Sequence, residues 1–148
     1  MEKPLAEEGV EITAEALSRL LEVTQAYAFF IQEWGSQAWL CTAGSPIDLA
    51  DVQAATKGAI AALDEGFFRM RFDWLTERER AYLRAVAELG PGPHRSGAIA
   101  RAMRTTVASL APLRNGLILK GMIWSPAHGD TAFTVPLFDE FMKRIMPA

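Results

Sequence analysis

Up to Gly121 the apolar residues of this chain recur at helical spacing, and beyond it the period changes to that of strands. Met122 to Ser125 and Thr131 to Val135 alternate as two short strands, joined by Pro126-Ala127-His128-Gly129-Asp130, where Gly129 supplies a positive φ. Ahead of them, the capping box Thr76-Glu77-Arg78-Glu79 opens a helix with Tyr82, Ala85, Val86 and Leu89 on one face, and Gly90-Pro91-Gly92-Pro93 closes it. A short helix from about Ser96 to Met103 turns Ile99, Ala100 and Met103 to the core. After a break at Arg104-Thr105, Thr106 caps a third helix with Val107, Leu110, Leu113 and Leu117 inward, and Gly121 ends it. Pro112 either kinks this helix or moves its regular part toward Ser109. Pro136 at the first helical position starts a last helix carrying Leu137, Phe138, Phe141 and Ile145, with Lys143-Arg144 in its final turn. Helix, helix, turn, helix, hairpin is the order of a winged helix-turn-helix. Its first two helices and hairpin bury one side of the third helix and leave the other side free.

The first half is helical throughout. Thr13 is an N-cap with Ile12 and Leu17 as a hydrophobic staple, and Leu17, Leu20, Leu21 and Thr24 share a face. Tyr27, Phe30, Ile31, Trp34, Ala38 and Cys41 mark a second helix that is apolar on more than one side, since Phe29, Trp39 and Leu40 lie off the stripe. Gly44-Ser45-Pro46 interrupts; Asp48, with Asp51 at the capping-box position and Ile47 facing Val52, restarts. From there an alanine-rich helix, with Gly58 as a point of weakness, runs on through Ile60, Leu63, Phe67, Met70 and Trp74 as one long connector. The expected fold is mainly α: an N-terminal helical bundle over 1–75, then a winged helix-turn-helix with a small β-hairpin wing over 76–148.

The charges divide at the same place. The 148 residues carry a net charge of −3, but residues 1–75 hold five basic and twelve acidic residues, a net of −7, and residues 76–148 hold ten and six, a net of +4. Between Leu89 and Gly129 lie Arg95, Arg101, Arg104, Arg114 and Lys120 and no acid. Either a polyanionic partner or a merely solvated basic face accounts for this. A charged share of 22% beside 50% apolar residues is that of a folding chain. The lone Cys41 excludes a disulfide framework and a cysteine-rich zinc site. Met1-Glu2-Lys3-Pro4 leading to Glu7-Glu8 is no signal peptide, and no apolar run is long enough to span a membrane. The expectation is a soluble cytoplasmic protein.

No constellation in the chain supports catalysis. There is no Gly-x-x-x-x-Gly-Lys-Ser/Thr loop to cradle nucleotide phosphates. Cys41, His94 and His128 lack metal-ligand spacing, and Ser125, His128 and Asp130 crowd into one hairpin, where turn chemistry explains them. Asp64-Glu65 are neighbours on a helix and do not face each other. Neither a cofactor nor a metal is expected. The four tryptophans, Trp34, Trp39, Trp74 and Trp124, read as core rather than as stacking platforms. The binding candidates sit on the third helix of the winged unit, where Thr105, Thr106, Ser109, Arg114 and Asn115 point outward with groups suited to phosphates or base edges. Arg95 and Arg104 flank the helices, and Lys120 and His128 reach for backbone phosphate. Capping and protein docking are the competing explanations of these residues.

Several runs resemble a known family: Gln32-Glu33-Trp34-Gly35, Ala59 to Glu65, Leu75 to Arg80, Ala87 to Gly97, Lys120 to Ile123, and Ser125 to Pro136. They look like the C-terminal region of bacterial AAA-type ATP-binding proteins related to the archaeal Orc/Cdc-like and STAND ATPases. The resemblance implies a helical lid from about Gly9 to Trp74 and an appended winged helix, the ATPase core being absent. Where such lids read Gly-x-Pro and approach the nucleotide, this chain has Ala26 and Ala28, so no ATP site is carried over. The resemblance and the residues together lead to a non-enzymatic fragment whose winged helix binds double-stranded DNA. The alternative is an interaction or regulatory module that docks on an ATPase core, on another protein or on a second copy of itself. That alternative requires an exposed apolar surface near Phe29, Trp39 and Leu40.

Overall fold

A helix needs a group to satisfy its first N–H donors, and four of the helices find one in the side chain that the sequence offers. In the computed structural model, which describes residues 11–42, 44 and 46–147, α1 (Ala14–Thr24) starts with Thr13 Oγ1 accepting from the Ala16 N–H at 3.2 Å. The terminal residues Met1, Glu2, Lys3, Pro4, Glu7, Glu8 and Gly9, and Ser45 of the interruption, lie outside the described residues. α2 (Ala28–Cys41) follows, then α3 (Leu49–Glu65), which opens on a reciprocal capping box between Asp48 and Asp51. Contacts divide the chain into two units, Met1–Phe67 and Phe68–Ala148.

In the first unit α2 buries Phe30, Trp34, Gly35 and Ala38, and α3 buries Val52, Ala55, Ala59 and Leu63. The indole N–H of Trp34 donates to Thr56 Oγ1 at 3.0 Å, so the buried donor is satisfied. Ile47 and Val52 are both fully buried, as the staple requires. A parallel bridge between Ile12 and Ile47 ties the starts of α1 and α3 together. α1 ends on two successive left-handed residues, Gln25 (φ 52°) and Ala26 (φ 56°). A Cβ in that region costs about 1–2 kcal/mol. Ala26→Gly should therefore stabilise the protein by about 0.5–1 kcal/mol, after the extra freedom glycine gives the unfolded chain. A urea midpoint no higher than that of the parent would contradict this.

The single long connector expected through Trp74 is not formed. α3 stops at Glu65, Gly66 takes a non-helical φ of −110° and ψ of −82°, and a separate helix α4 (Phe67–Asp73) begins. Glycine permits the break, and aromatic packing uses it. Phe67 stacks on Phe29 at 4.7 Å within the first unit, whereas Phe68 and Phe72 pack with Phe138 and Phe141 of the second. The division thus falls before Phe68 rather than at Leu75-Thr76, and it takes Arg69, Arg71 and Asp73 into the basic unit.

The second unit is a winged helix-turn-helix. α5 (Glu77–Glu88) opens on the Thr76–Glu79 capping box and buries Tyr82, Leu83, Val86 and Ala87. Gly90 (φ 97°) and Gly92 (φ 93°) turn the chain into a two-residue strand β1 (His94–Arg95), then come α6 (Ser96–Ala102) and α7 (Val107–Leu119). β2 (Ile123–Trp124) and β3 (Asp130–Phe133) form the wing, and α8 (Phe138–Ile145) closes the core. The sheet is antiparallel in the order β1-β3-β2, with His94 opposite Thr131 and Trp124 opposite Ala132. The mainly helical class, a helical bundle followed by a winged helix with a small β wing, is as the sequence indicated.

Three local expectations are corrected. Pro136 does not start the last helix: Leu137 takes a left-handed φ of 67° as N-cap and α8 begins at Phe138, which lets Phe138 reach the Phe68–Phe141 cluster. Pro112 lies inside an uninterrupted α7. Both Pro112 and Ala108 are exposed, so water is at hand for the Ala108 carbonyl that Pro112 deprives of its helical donor. Of the tryptophans only Trp34 is core; Trp39, Trp74 and Trp124 are 44%, 59% and 52% exposed. Among the described residues no helix is long and apolar enough to cross a membrane.

Candidate nucleic-acid interface

The two helices of the turn are held apart by backbone conformation. Arg104 adopts a left-handed φ of 55°, its N–H donating to the Arg101 carbonyl, and the Thr105 N–H donates to the Ala100 carbonyl at 2.9 Å. Thr106 then caps α7, its Oγ1 accepting from the Ser109 N–H at 3.1 Å and lying 2.9 Å from the Ser109 hydroxyl. Thr105, Thr106 and Ser109 are exposed, as expected, but the last two spend their hydroxyls on each other and on the cap. Leu110 and Leu117 anchor α7 in the core, while Val107, expected inward, is 47% exposed.

Four basic residues of the acid-free stretch from Leu89 to Gly129 are exposed. Arg104 and Arg101 are exposed at the turn, and His128 is exposed at the wing tip. Arg95 is 76% exposed; its Nη1 donates to the His128 carbonyl at 3.3 Å and lies 3.7 Å from Asp130 Oδ1. Ser96 fixes the wing base, its N–H and hydroxyl both donating to the Gly129 carbonyl. Arg101 is the residue that outward-face reasoning on the third helix missed; its signal was membership of the acid-free stretch from Leu89 to Gly129.

Two of the cations expected to reach phosphate are engaged within the fold. Arg114 does not point outward: its Nε donates to Thr131 Oγ1 and its Nη2 to the Asp130 carbonyl, both at 2.8 Å. Thr131 is fully buried, and Tyr82 bonds to it from α5. Burial pushes the Tyr82 phenol up, against the opposing pull of Thr131 and the Arg114 charge, so it stays protonated. Arg114 is thus a strut between α7 and β3. Arg114→Ala should cost about 1.5–3 kcal/mol, the worth of hydrogen bonds to a charged group. Thermal unfolding checks this, and an unchanged midpoint would contradict it.

Lys120 is likewise engaged. Its Nζ donates to Glu79 Oε1 at 2.7 Å and to the Trp74 carbonyl at 3.1 Å, and it lies 5.2 Å from the centre of the Trp74 ring. Glu79 is 7% exposed in its side chain and closes the α5 capping box through the Thr76 N–H at 2.8 Å. Burial works against its charge, but the hydrogen bonds from Lys120 and Thr76 and the Lys120 charge hold its carboxyl below the ordinary 4.5. A carboxyl lowered in the folded state adds stability above its unfolded pKa, and this is lost as the pH falls through the folded value. Lys120→Met is expected to cost about 2–3 kcal/mol at pH 7 by stranding Glu79, and to flatten the loss of stability between pH 7 and an acid pH at which the parent's Glu79 is protonated. Urea unfolding at the two pH values measures both.

A cavity of about 100 Å³ opens between Tyr82, Ser96, Val107, Leu110, Ala111, Arg114 and Asn115. Ligand pockets run to about 300 Å³ and more, so it admits water rather than an organic substrate. In the wing, the Ser125 hydroxyl donates to the Ala127 carbonyl and Asp130 faces Arg95.

A family model described as a domain of unknown function (DUF8462) matches residues 65–142, a span that begins just before α4 and takes in the winged helix. No curated protein matches the chain.

Proposed function

We propose, for a chain that belongs to the DUF8462 family of domains of unknown function, that its second unit is a non-catalytic winged helix that binds double-stranded DNA. The turn between α6 and α7, the start of α7 and the wing would meet the duplex. The observation that carries this reading is that Arg95, Arg101, Arg104 and His128 are all exposed within a stretch, Leu89 to Gly129, that holds not one acid. Binding of a labelled duplex to the full chain at low salt, followed by anisotropy, tests it. No measurable affinity there would overturn it.

The kinship with the C-terminal region of AAA-type ATP-binding proteins is part of the proposal. The helical unit precedes the winged helix in sequence, the order that a lid would have, and an ATPase core in the same reading frame or on a partner chain would be its companion. A cytoplasmic setting also belongs to the proposal, and the exposed free thiol of Cys41 fits a reducing one.

A second reading has its own support. Leu119 is 89% exposed and Trp74 and Trp124 more than half so, and in the first unit Phe29, Trp39 and Leu40 are 49%, 44% and 75% exposed. Such residues suit docking on a protein, an ATPase core or a second copy of the chain. Concentration-dependent association in sedimentation, abolished by Leu40→Ser or Leu119→Ser, would favour it.

A further inference from the structure

The following rests on the DNA-binding reading and sharpens it. We infer that the winged helix takes duplex DNA by its phosphate backbone, with little preference for base sequence. Sequence is read in the major groove by side chains that pair with base edges: Arg or Lys with guanine, Asn or Gln with adenine, Asp or Glu with cytosine. Beyond Val107 and the capping partner Ser109 in its first turn, the exposed residues of α7, the helix that would enter the groove, are Ala108, Ala111, Pro112, Asn115 and Leu119. Only Asn115 among them is a base reader. The one long cation on the helix, Arg114, is committed to Thr131 Oγ1 and the Asp130 carbonyl. Thr106 and Ser109 share their hydroxyls in the cap.

The exposed cations are elsewhere. Arg95 precedes α6, Arg101 is in its last turn and Arg104 is in the turn that follows. These are positions that flank a groove rather than enter it, and contacts from them fix register on the duplex without carrying sequence information. Small and apolar side chains along α7 allow its backbone to come close to the groove floor and discriminate little there beyond the thymine methyl.

The test is to mix the full chain at low salt with a pool of random-sequence duplexes, recover the bound fraction after a single round, and sequence it. The expected result is that duplex is retained and no motif is enriched more than about ten-fold, since a single Asn–adenine pair is all the helix offers. Asn115→Ala should then lower the affinity by less than about ten-fold, and only by removing a preference for adenine at one position. Enrichment of one motif by a hundred-fold or more overturns the inference and leaves DNA binding standing. A pool that is not retained at all overturns the DNA-binding reading, and this inference with it.

Discussion

Phe138→Ala is expected to cost about 3–5 kcal/mol and to unfold the winged unit at a denaturant concentration far below that of the parent. The side chain is fully buried, with ring centres 5.7 Å from Phe68, 5.3 Å from Phe141 and 6.0 Å from Phe133. It joins α4, the wing and α8, so truncation leaves a cavity that three elements would have to collapse together to fill. A small domain holds about 5–15 kcal/mol in all, so the loss is a large part of its stability. The companion result concerns neighbouring residues. Phe68→Ala should destabilise the same unit, while Phe67→Ala, which removes a ring stacked on Phe29, should act on the first unit. Circular dichroism resolves this if the two units melt separately. A Phe138→Ala protein with the parental midpoint would mean that the aromatic cluster is not the core.

The second large effect is on binding. Each phosphate contact to duplex DNA contributes through counterion release, with log K falling by about 0.9 per contact for each decade of salt. Three contacts from Arg95, Arg101 and Arg104 together are worth about 500-fold in affinity at 0.1 M salt on that slope. The triple alanine variant should lose that factor while keeping its melting temperature within a few degrees, because the exposed Arg95–Asp130 pair at 3.7 Å holds little stability. Arg104→Gly is the sharper control. It removes the charge and suits the left-handed φ of 55°, so a loss of affinity in that variant is not a loss of fold. Unchanged affinity in the triple variant would place the contact elsewhere or remove DNA as the partner.

The helix starts were legible because capping is local. Thr13, Asp48, Thr76 and Thr106 each serve a backbone N–H three residues on, and that spacing is written in the sequence. The change of period after Gly121 showed the wing for the same reason. What periodicity could not show was the reach of long side chains. Lys120 and Glu79 are 41 residues apart and Arg114 and Thr131 are 17 apart, so a count of faces on one helix assigned both cations to solvent. Gly66 was one residue in an alanine-rich helical pattern, and only the competition of two aromatic clusters for Phe67 and Phe68 decides that the chain bends there. The two-residue β1 carries no pattern of its own; its partner β3 defines it. Exposed Trp39, Trp74 and Trp124 read as core in the sequence because an apolar side chain looks the same there whether or not another element covers it.

The most direct measurement is the salt dependence of duplex binding by the unmodified full chain, taken over roughly 20 to 200 mM monovalent salt. Three phosphate contacts predict a straight line of log K against log salt with a slope of about −2.7, and a slope about 0.9 shallower for each of the three arginines removed. A flat line, or no affinity even at the lowest salt, would contradict the assignment of this surface to DNA.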